Sequence, residues 1–290
     1  MSQANGGSPI ILVGGASRAA RALAARLCAP VVPVVRSAAG LAGEHVVEAF
    51  DHGPGDLALA GAIVVNCAGT PFGSAEELDR ANRAVPVAWA GAAAQRGAAR
   101  FVQLSSFSVY GPAEHITDDT PLSPSSDYGR SKLAAERALA KEMPADRLTI
   151  LRVPILVGGG NDKLAQLVAL AKRTGIVPAA PWATPRSMLS YDALAATIIA
   201  LVKDGASGTV SAADPQPFDP ELLAARARMA GRSLRIVRVP RPALSLARGF
   251  APGVYASLFR PNLLSPEKNA IPPGEDFERL PQVVDRYLAE

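Results

Sequence analysis

The sequence predicts an α/β fold in which a doubly wound parallel sheet is followed by a smaller, mixed C-terminal lobe. Two observations support this prediction. Between residues 9 and 153, short apolar segments alternate with segments rich in alanine, leucine and arginine. The apolar segments are apolar at successive positions rather than at every second one, as in strands that helices cover on both faces.

The predicted strands and helices follow one another in a regular order. The first strand is predicted at residues 9–15, where four apolar residues precede two glycines, and a helix of strong helix formers follows at 17–29. Runs of apolar residues predict further strands at 31–35, 45–51, 62–69, 100–106 and 147–153. Long alanine-rich segments predict further helices at 74–96 and 127–142.

The pattern loosens after about residue 155, where prolines become frequent. We therefore predict a first domain at residues 1–154 and a smaller lobe that takes up most of residues 155–290. Some segments of this lobe are expected to return to the core of the first domain. Helices are predicted in it at about 193–203, 219–230 and 240–249, and no internal repeat is evident.

The composition limits the class of protein. The chain has 290 residues, 49% of them hydrophobic and 19% charged, which is typical of a folded globular protein. Its net charge of +4 is scattered, so we expect no nucleic-acid partner and favour a small anionic ligand. Cys28 and Cys67 lie in apolar stretches and support neither a disulfide framework nor a metal site. The polar N-terminus and strand-length apolar runs predict a cytoplasmic protein without a membrane partner.

A glycine-rich turn joins the first predicted strand to the first helix. Its sequence, GGASRAA, spans residues 14–20. In a Rossmann-type fold such a turn lets a dinucleotide pyrophosphate approach the backbone at Gly14 and Gly15 and the positive end of the helix. Ser17 or Arg18 occupies the place of the usual second glycine, and Ala20 that of the third. Taken alone the loop is weak evidence, because both glycines could serve as plain turn residues.

Two arginines bear on the choice of dinucleotide. Arg18 lies in the glycine turn, and Arg36 follows the second strand, where an NAD enzyme usually carries an acid for the ribose diol. A guanidinium instead binds a 2′-phosphate with two parallel hydrogen bonds. The pair therefore predicts NADP, with NAD as the alternative. Two ordinary surface arginines would give the same sequence.

Two further strand ends are candidate contacts of the same cofactor. Asp51 ends the third predicted strand and could accept a hydrogen bond from the adenine amino group or cap a helix. Asn66, Ala68 and Gly69 end the fourth strand, where small residues let the chain pass under a cofactor. An ordinary exit from a strand into a loop would look the same.

The candidate reacting centre combines a serine, a tyrosine and a lysine. Ser106 ends the fifth strand, and Tyr128 lies four residues before Lys132 in the next helix. The pKa of tyrosine is near 10, so a cation one turn away is expected to lower it and let a proton move in either direction. Ser106 can hold a substrate oxygen against Tyr128 while a hydride moves between the adjoining carbon and a nicotinamide.

With these motifs together, the chain resembles the extended short-chain dehydrogenase/reductases, in particular the nucleotide-sugar epimerase, dehydratase and reductase branch. The resemblance rests on ILVGGAS, IVVNCAG, RFVQLSSFSVYG, YGRSK, LTILRVPILVGGG and RSMLSYDAL, which together cover most of the chain. It implies that Ser106 and Tyr128 are catalytic. It also implies that Lys132 binds the nicotinamide ribose and tunes Tyr128, and that Asn82 lies beside the cofactor.

The resemblance also bears on the substrate and on assembly. It implies that the C-terminal lobe closes over a nucleotide sugar, with Arg186 approaching the diphosphate, and that two copies pair through the helices at 74–96 and 127–142 into a homodimer. The chain departs from the family pattern at Val157, which replaces a tyrosine, and at Ile155, where epimerases place a substrate-binding asparagine. These departures leave the sugar open.

The function predicted first is NADPH-dependent reduction of a 4-keto nucleotide sugar. A C4 epimerase is the first alternative, and it would oxidise and reduce its substrate on one tightly bound NAD. The two arginines favour an exchangeable NADPH and hence a reductase. A non-catalytic NADP-binding protein of the same fold is a further alternative, which the complete set of serine, tyrosine and lysine disfavours. A smaller ketone or aldehyde substrate is the last.

Overall fold

The computed structural model describes residues 8–250, 259–274 and 276–290. Within these residues the chain divides into two compact units. Unit 1 comprises residues 8–111, Pro121–Val153 and Leu194–Ser211. Unit 2 comprises Pro112–Thr120, Pro154–Ala193 and the described residues from 212 onward.

Unit 1 is built on one seven-stranded sheet. Its strands are β1 (Ile10–Val13), β2 (Val31–Val35), β3 (His45–Val46), β4 (Ile63–Asn66), β5 (Arg100–Ser106), β7 (Leu148–Val153) and β11 (Gly208–Ser211). They lie in the order β11-β7-β5-β4-β1-β2-β3, and every neighbouring pair is parallel. The predicted α/β fold with a parallel sheet is therefore confirmed. The structure adds β11 at one edge and shortens the strand predicted at 45–51 to two residues.

The helices of unit 1 agree with the predicted order. They are α1 (Arg18–Arg26), α2 (Ala75–Asp79), α3 (Val85–Gln95), α4 (Asp127–Glu142) and most of α6 (Tyr191–Lys203). A π-helical segment, Arg80–Ala84, joins α2 to α3, so the helix predicted at 74–96 is continuous but locally wider. Ser74 and Glu77 form a capping box that fixes its start, since each side chain accepts a hydrogen bond from the other residue's backbone.

The core of unit 1 lies between the sheet and its helices. Trp89 of α3 is fully buried, and its indole N–H donates to the Phe50 carbonyl at 2.8 Å. Alanines beside Trp89 allow α3 to approach the strands closely. This packing leaves the carboxyl ends of the strands to the loops, where ligands bind in open α/β sheets.

The described residues of unit 2 form three two-stranded parallel ladders and four α-helices. The ladders pair β8 (Ile155–Val157) with β10 (Met188–Ser190), β9 (Ile176–Ala179) with β12 (Arg235–Arg238), and β6 (His115–Ile116) with β13 (Leu263–Leu264). The helices are α5 (Lys163–Thr174), α7 (Pro220–Met229), α8 (Arg241–Phe250) and α9 (Leu280–Ala289). Helices α7 and α8 lie where the sequence predicts them, whereas α5 and α9 were not predicted. Among the described residues, no helix is both long enough and apolar enough to cross a membrane.

Candidate active site

The glycine turn after β1 is held by close backbone packing. Gly14 has φ +77°, and a methyl group in place of its hydrogen would lie 2.9 Å from Cα of Ala68. The equivalent atom on Gly15 would lie 2.5 Å from Cβ of Pro33. Ser17 then caps α1, since its hydroxyl accepts from the Ala20 N–H at 3.2 Å. Both glycines are therefore required by the fold, and Gly14 also brings the turn against the loop after β4.

A groove of about 990 Å³ opens beside this turn in unit 1. Six of the predicted cofactor residues line it: Gly14, Ser17, Arg36, Asp51, Ala68 and Gly69. The other five predicted cofactor residues, Gly15, Arg18, Asn66, Asn82 and Lys132, lie outside this lining set. The groove thus unites the ends of β1, β2 and β4 with the amino end of α1, which carries a partial positive charge.

The far wall of the groove carries two arginines. The Arg36 guanidinium lies 5.5 Å from the centre of the Phe50 ring. Arg80 donates through Nε to Asp51 at 2.6 Å, and this hydrogen bond holds the pKa of the Asp51 carboxyl below its ordinary value. Arg80 therefore competes with an adenine amino group for the Asp51 carboxylate, which the sequence predicted to bind adenine. Arg80 also lines the groove and was missed, because it lies 29 residues from its partner in the sequence.

Asn66 is occupied inside the protein. Its side chain is fully buried, and its amide donates to Oε1 of Gln103 at 2.9 Å. Its oxygen accepts from the Ala68 N–H at 3.1 Å, which shapes the exit of the chain from β4. These contacts support Ala68 and Gly69 in the wall of the groove and give Asn66 a structural position behind it.

Asn82 projects from the π-helical segment and joins three parts of unit 1. Its oxygen accepts from the Thr70 N–H at 3.1 Å, and its amide donates to the Thr70 carbonyl at 2.9 Å and to the Ser131 hydroxyl at 3.1 Å. A methyl group on Gly69 would lie 2.8 Å from Oδ1 of Asn82 and 3.2 Å from Nζ of Lys132. Asn82 and Lys132 therefore both lie behind Gly69, which lines the groove.

The structure brings Ser106, Tyr128 and Lys132 together at the end of β5. Ser106 hydrogen-bonds Tyr128 and also accepts from the Ser108 N–H at 3.1 Å. Nζ of Lys132 lies 5.9 Å from the centre of the Tyr128 ring and donates to the Leu104 carbonyl at 3.1 Å. Gly129 lets the start of α4 pack closely against the turn after β5, because a methyl group at this position would lie 2.4 Å from the Ser108 carbonyl oxygen.

The electrostatics of this group differ from the prediction. Burial raises the pKa of the Tyr128 phenol above its ordinary value, and the hydrogen bond with Ser106 offsets only part of that rise. Burial also lowers the pKa of Lys132 to about 8, although Glu136 and Cys67 counteract it. The net lowering of the Tyr128 pKa that the sequence predicted is therefore not found, because burial of the phenol outweighs the hydrogen bond with Ser106, and the charge of Lys132, whose Nζ lies 5.9 Å from the ring centre, does not reverse the shift.

A buried polar network lies behind the three residues, and sequence reasoning missed it. Arg152 of β7 binds Glu136 of α4 with two hydrogen bonds, of 3.0 and 2.6 Å, and both side chains are almost fully buried. Glu136 also accepts from the Ser105 hydroxyl, and Arg152 donates to the Tyr110 hydroxyl at 3.0 Å. The position of Glu136 one turn after Lys132 was a signal, since side chains four residues apart meet on a helix.

Arg186, the predicted substrate residue, lies in unit 2 within a cluster of cations. Its guanidinium donates to the Arg260 carbonyl at 2.6 Å. Burial and the charge of Arg260 lower the pKa of Arg186 to about 10. Burial and the charge of Arg186 in turn lower the pKa of Lys163. Lys163 and Arg260 were not predicted, and their distance from Arg186 in the sequence gave no signal of this cluster.

Residues 44–175 match the NAD dependent epimerase/dehydratase family. Two curated relatives also match. The chain is 26% identical over 169 residues to ceramide reductase of Caulobacter vibrioides, which covers 57% of this chain and 49% of the relative. It is 31% identical over 189 residues to dTDP-6-deoxy-L-talose 4-dehydrogenase (NAD(P)(+)) of Kitasatospora kifunensis, which covers 59% of each. The chain therefore spans about half of the length of the first relative and about three fifths of the second.

Solved structures share the fold over nearly the whole chain. A dTDP-4-dehydrorhamnose reductase of Clostridium acetobutylicum has a TM-score of 0.71 at 18% identity, covering 97% of this chain and 98% of its own. The same type of enzyme from Bacillus anthracis, in complex with NADP, has a TM-score of 0.67 at 15% identity, with coverage of 97% and 99%. A UDP-glucuronic acid 4-epimerase of Bacillus cereus, in complex with NAD, has a TM-score of 0.70 at 13% identity, with coverage of 97% and 96%.

Proposed function

We propose that this chain belongs to the extended short-chain dehydrogenase/reductases of the NAD dependent epimerase/dehydratase family, and that it is an NADPH-dependent reductase of a 4-keto nucleotide sugar. One observation carries the proposal. Ser106, Tyr128 and Lys132 meet at the end of β5, and Lys132 lies directly behind Gly69, which lines the groove. Three groups thus lie together beside a groove large enough for a dinucleotide: Tyr128 as a proton donor, the Ser106 hydroxyl, which can orient a substrate oxygen, and the Lys132 cation.

The groove fits a dinucleotide. The close contact of Gly14 with Ala68 leaves no room for a side chain where a pyrophosphate would approach, and the amino end of α1 offers N–H groups to it. Arg36 would bind a 2′-phosphate, and Lys132 would bind the nicotinamide ribose. Bound NADPH supplies the hydride that reduces the carbonyl carbon of the substrate. Relatives crystallised with NADP and with NAD support a nicotinamide cofactor.

Tyr128 acts as the acid in the proposed reaction. Because its pKa is raised, the phenol keeps its proton at neutral pH and can donate it to the substrate oxygen as negative charge develops there. Ser106 hydrogen-bonds the same oxygen and holds it against Tyr128. Lys132, with a pKa of about 8, is mostly protonated at pH 7 and stabilises the phenolate that remains after proton transfer.

The cation cluster of unit 2 supports a substrate with a diphosphate. The charge of Arg260 helps to lower the pKa of Arg186, and the charge of Arg186 helps to lower that of Lys163, so an anion that approaches these cations relieves their repulsion. Arginine binds phosphate oxygens with two parallel hydrogen bonds. The names of the talose dehydrogenase and the dehydrorhamnose reductases, all acting on dTDP sugars, favour a nucleotide sugar as the carrier of that diphosphate.

The test is to supply the purified protein with NADPH and a panel of 4-keto-6-deoxy dTDP and UDP sugars, and to follow the loss of NADPH absorbance. Oxidation of NADPH with one of these substrates supports the reductase. A protein that purifies with bound NAD and interconverts C4 epimers without consuming NADPH would instead be an epimerase, the first alternative. Binding of NADPH without turnover of any ketone would indicate a non-catalytic protein.

A second candidate substrate is a ketone carried by a ceramide-like lipid. The match to the ceramide reductase favours it, since that match is as extensive on this chain as the match to the talose dehydrogenase. The cation cluster around Arg186 disfavours it, because an uncharged lipid offers those groups no anion. A detergent-solubilised ketoceramide added to the panel separates the two candidates.

We also propose that the enzyme is a homodimer that pairs through α3 and α4. Ala88 and Ala92 are half-buried and lie on one side of α3, where small side chains would allow a helix of a second copy to approach closely. Light scattering after size-exclusion chromatography gives the mass in solution. A monomer at micromolar concentration would contradict this proposal.

The two cysteine thiols give information on the cell compartment in which the protein works. Cys28 and Cys67 are both free, and Cys28 is exposed. Free exposed thiols persist where the surroundings are reducing. This supports the proposal that the enzyme works in the cytoplasm, which fractionation of cells that express a tagged chain would test.

A further inference from the structure

One part of unit 2 combines arginines with exposed apolar side chains. Residues 222–266 contain eight arginines and no aspartate, glutamate or lysine. Ordinary protein surfaces intersperse charges of both signs. In α7 Arg226 pairs with Asp285 of α9, whereas β12 and α8 contain arginines and no acidic residue, so their positive charge is not balanced within these two elements.

Helix α8 turns an apolar side to solvent. Leu244 attaches the helix to unit 2, where it is buried with Ala180 and Phe259. Leu246 and Phe250 lie one turn apart, away from Leu244, and are 62% and 89% exposed. A surface helix normally presents polar residues on this side. The outward side of α8 therefore lacks the polar residues that water would favour.

The strand that leads into α8 continues the same composition. Ile236 of β12 packs on the core of unit 2, so its neighbours Arg235 and Val237 point to the opposite face. At the start of α8, the Arg241 guanidinium lies 5.9 Å from the centre of the half-exposed Trp182 ring. We call the exposed residues of β12 and α8, together with Trp182, the α8 surface.

We propose that the α8 surface binds a membrane that contains anionic lipids. The helix would lie in the plane of the interface, with Leu246 and Phe250 entering the boundary of the acyl chains and the arginines meeting the headgroups. Tryptophan beside a cation is typical of side chains that settle at this depth. Near an anionic leaflet each arginine contributes about fivefold to binding.

A second copy of the chain is the other occupant that could cover this face. In a symmetric dimer the same patch meets itself, so the arginines of one copy would face the arginines of the other with no acid between them. An anionic lipid surface has the complementary charge. The contact is peripheral, since no described helix could span a bilayer, and it departs from the expectation of no membrane partner.

Sedimentation with vesicles tests the proposal. The full chain should bind vesicles of equimolar phosphatidylglycerol and phosphatidylcholine, and high salt should release it from them. It should not bind vesicles of pure phosphatidylcholine. The double variant Leu246→Ser, Phe250→Ser and the double variant Arg235→Gln, Arg241→Gln should each weaken binding by about tenfold or more. Val46→Ser and Arg137→Gln, two exposed positions of unit 1, are the matched controls and should bind as the parent does.

Tryptophan fluorescence gives a second measurement that needs no variant. Of the two tryptophans, Trp89 is fully buried and Trp182 is partly exposed, so a blue shift on adding anionic vesicles reports on Trp182. Absence of both sedimentation and blue shift at low salt would overturn the proposal. So would a change of mass in solution caused by Leu246→Ser, Phe250→Ser in a protein that ignores vesicles, which would make the face an interface between copies. These residues serve no part of the proposed reduction, so either idea can fail alone.

Discussion

Nζ of Lys132 lies 5.9 Å from the centre of the Tyr128 ring, and the two side chains project from the same side of α4 one turn apart. The ammonium does not hydrogen-bond the phenol. It donates to the Leu104 carbonyl instead, while Ser106 bonds Tyr128. In the proposed reaction Lys132 therefore acts on Tyr128 through its charge, and the strength of that action depends on whether the lysine is protonated.

Replacing Tyr128 with phenylalanine removes the proposed acid and keeps the ring. We expect a loss of about 100-fold or more in kcat, the usual contribution of a positioned acid, with the Kd of NADPH unchanged. Stopped-flow reduction and fluorescence titration of NADPH measure the two quantities. A variant that kept its kcat would show that the proton comes from another group.

The pH dependence of the rate should report on Lys132. Its pKa of about 8 means that the charged form prevails below pH 8 and the neutral form above it, so kcat/KM should fall as the pH rises through 8. Lys132→Arg keeps its charge throughout this range, so any activity that it retains should not fall near pH 8. A flat profile of the parent enzyme between pH 7 and 9 would contradict the role of this charge.

The bond between Glu136 and Arg152 should be required for stability. Both side chains are almost fully buried, so Glu136→Gln leaves the Arg152 charge without its carboxylate and should cost about 3–5 kcal/mol in the free energy of unfolding. Urea denaturation measures this cost. Asp127→Asn, which breaks the exposed pair with Arg130, is the control and should cost less than about 1 kcal/mol. Similar costs for the two variants would show that the buried network adds little.

Arg36 should determine the choice between NADP and NAD. Arg36→Glu places an acid where the 2′-phosphate would lie, and we expect the Kd of NADPH to rise about 100-fold while that of NADH changes little, given the strength of hydrogen bonds between charged groups. Arg21→Glu makes the same change of charge at an exposed position of α1 and is the control. Equal losses for NADPH and NADH would remove Arg36 from cofactor selection.

Arg186 should affect the substrate and not the cofactor. Arg186→Gln removes one cation of the cluster, so KM for the nucleotide sugar should rise about 10-fold or more, as expected when a hydrogen bond to a charged group is lost. The Kd of NADPH should stay the same. Arg173→Gln, an exposed position at the end of α5, is the control. An unchanged KM for Arg186→Gln would exclude it from diphosphate binding.

The sequence predicted those features that depend on neighbouring residues. Helix α4 spans the predicted 127–142, because Ser126 caps its first turn and strong helix formers follow without interruption. The apolar strands that make up most of the sheet were predicted for the same reason. Helix α5 was missed although its signals are local, since Asp162 caps it and Gly175 ends it in a left-handed conformation.

The missed parts of the site come from pairs that are distant in the sequence. Asp51 meets Arg80, and Arg152 meets Glu136, only because the sheet brings separate segments together. The direction of the Tyr128 pKa shift could not be predicted either. A spacing of four residues gives the distance to the lysine, whereas the depth of burial depends on what β5 and the turn after it place over the ring.

The π-helical segment at 80–84 has a consequence for how this protein could change over time. An α-helix advances about 100° per residue, so the extra residue in this turn rotates Asn82 relative to the rest of α3. One residue inserted into or deleted from this segment would turn Asn82 by about 100° relative to α3, away from its partners. The hydrogen bonds of Asn82 with Thr70 and Ser131 therefore depend on the number of residues in this segment as well as on their identity.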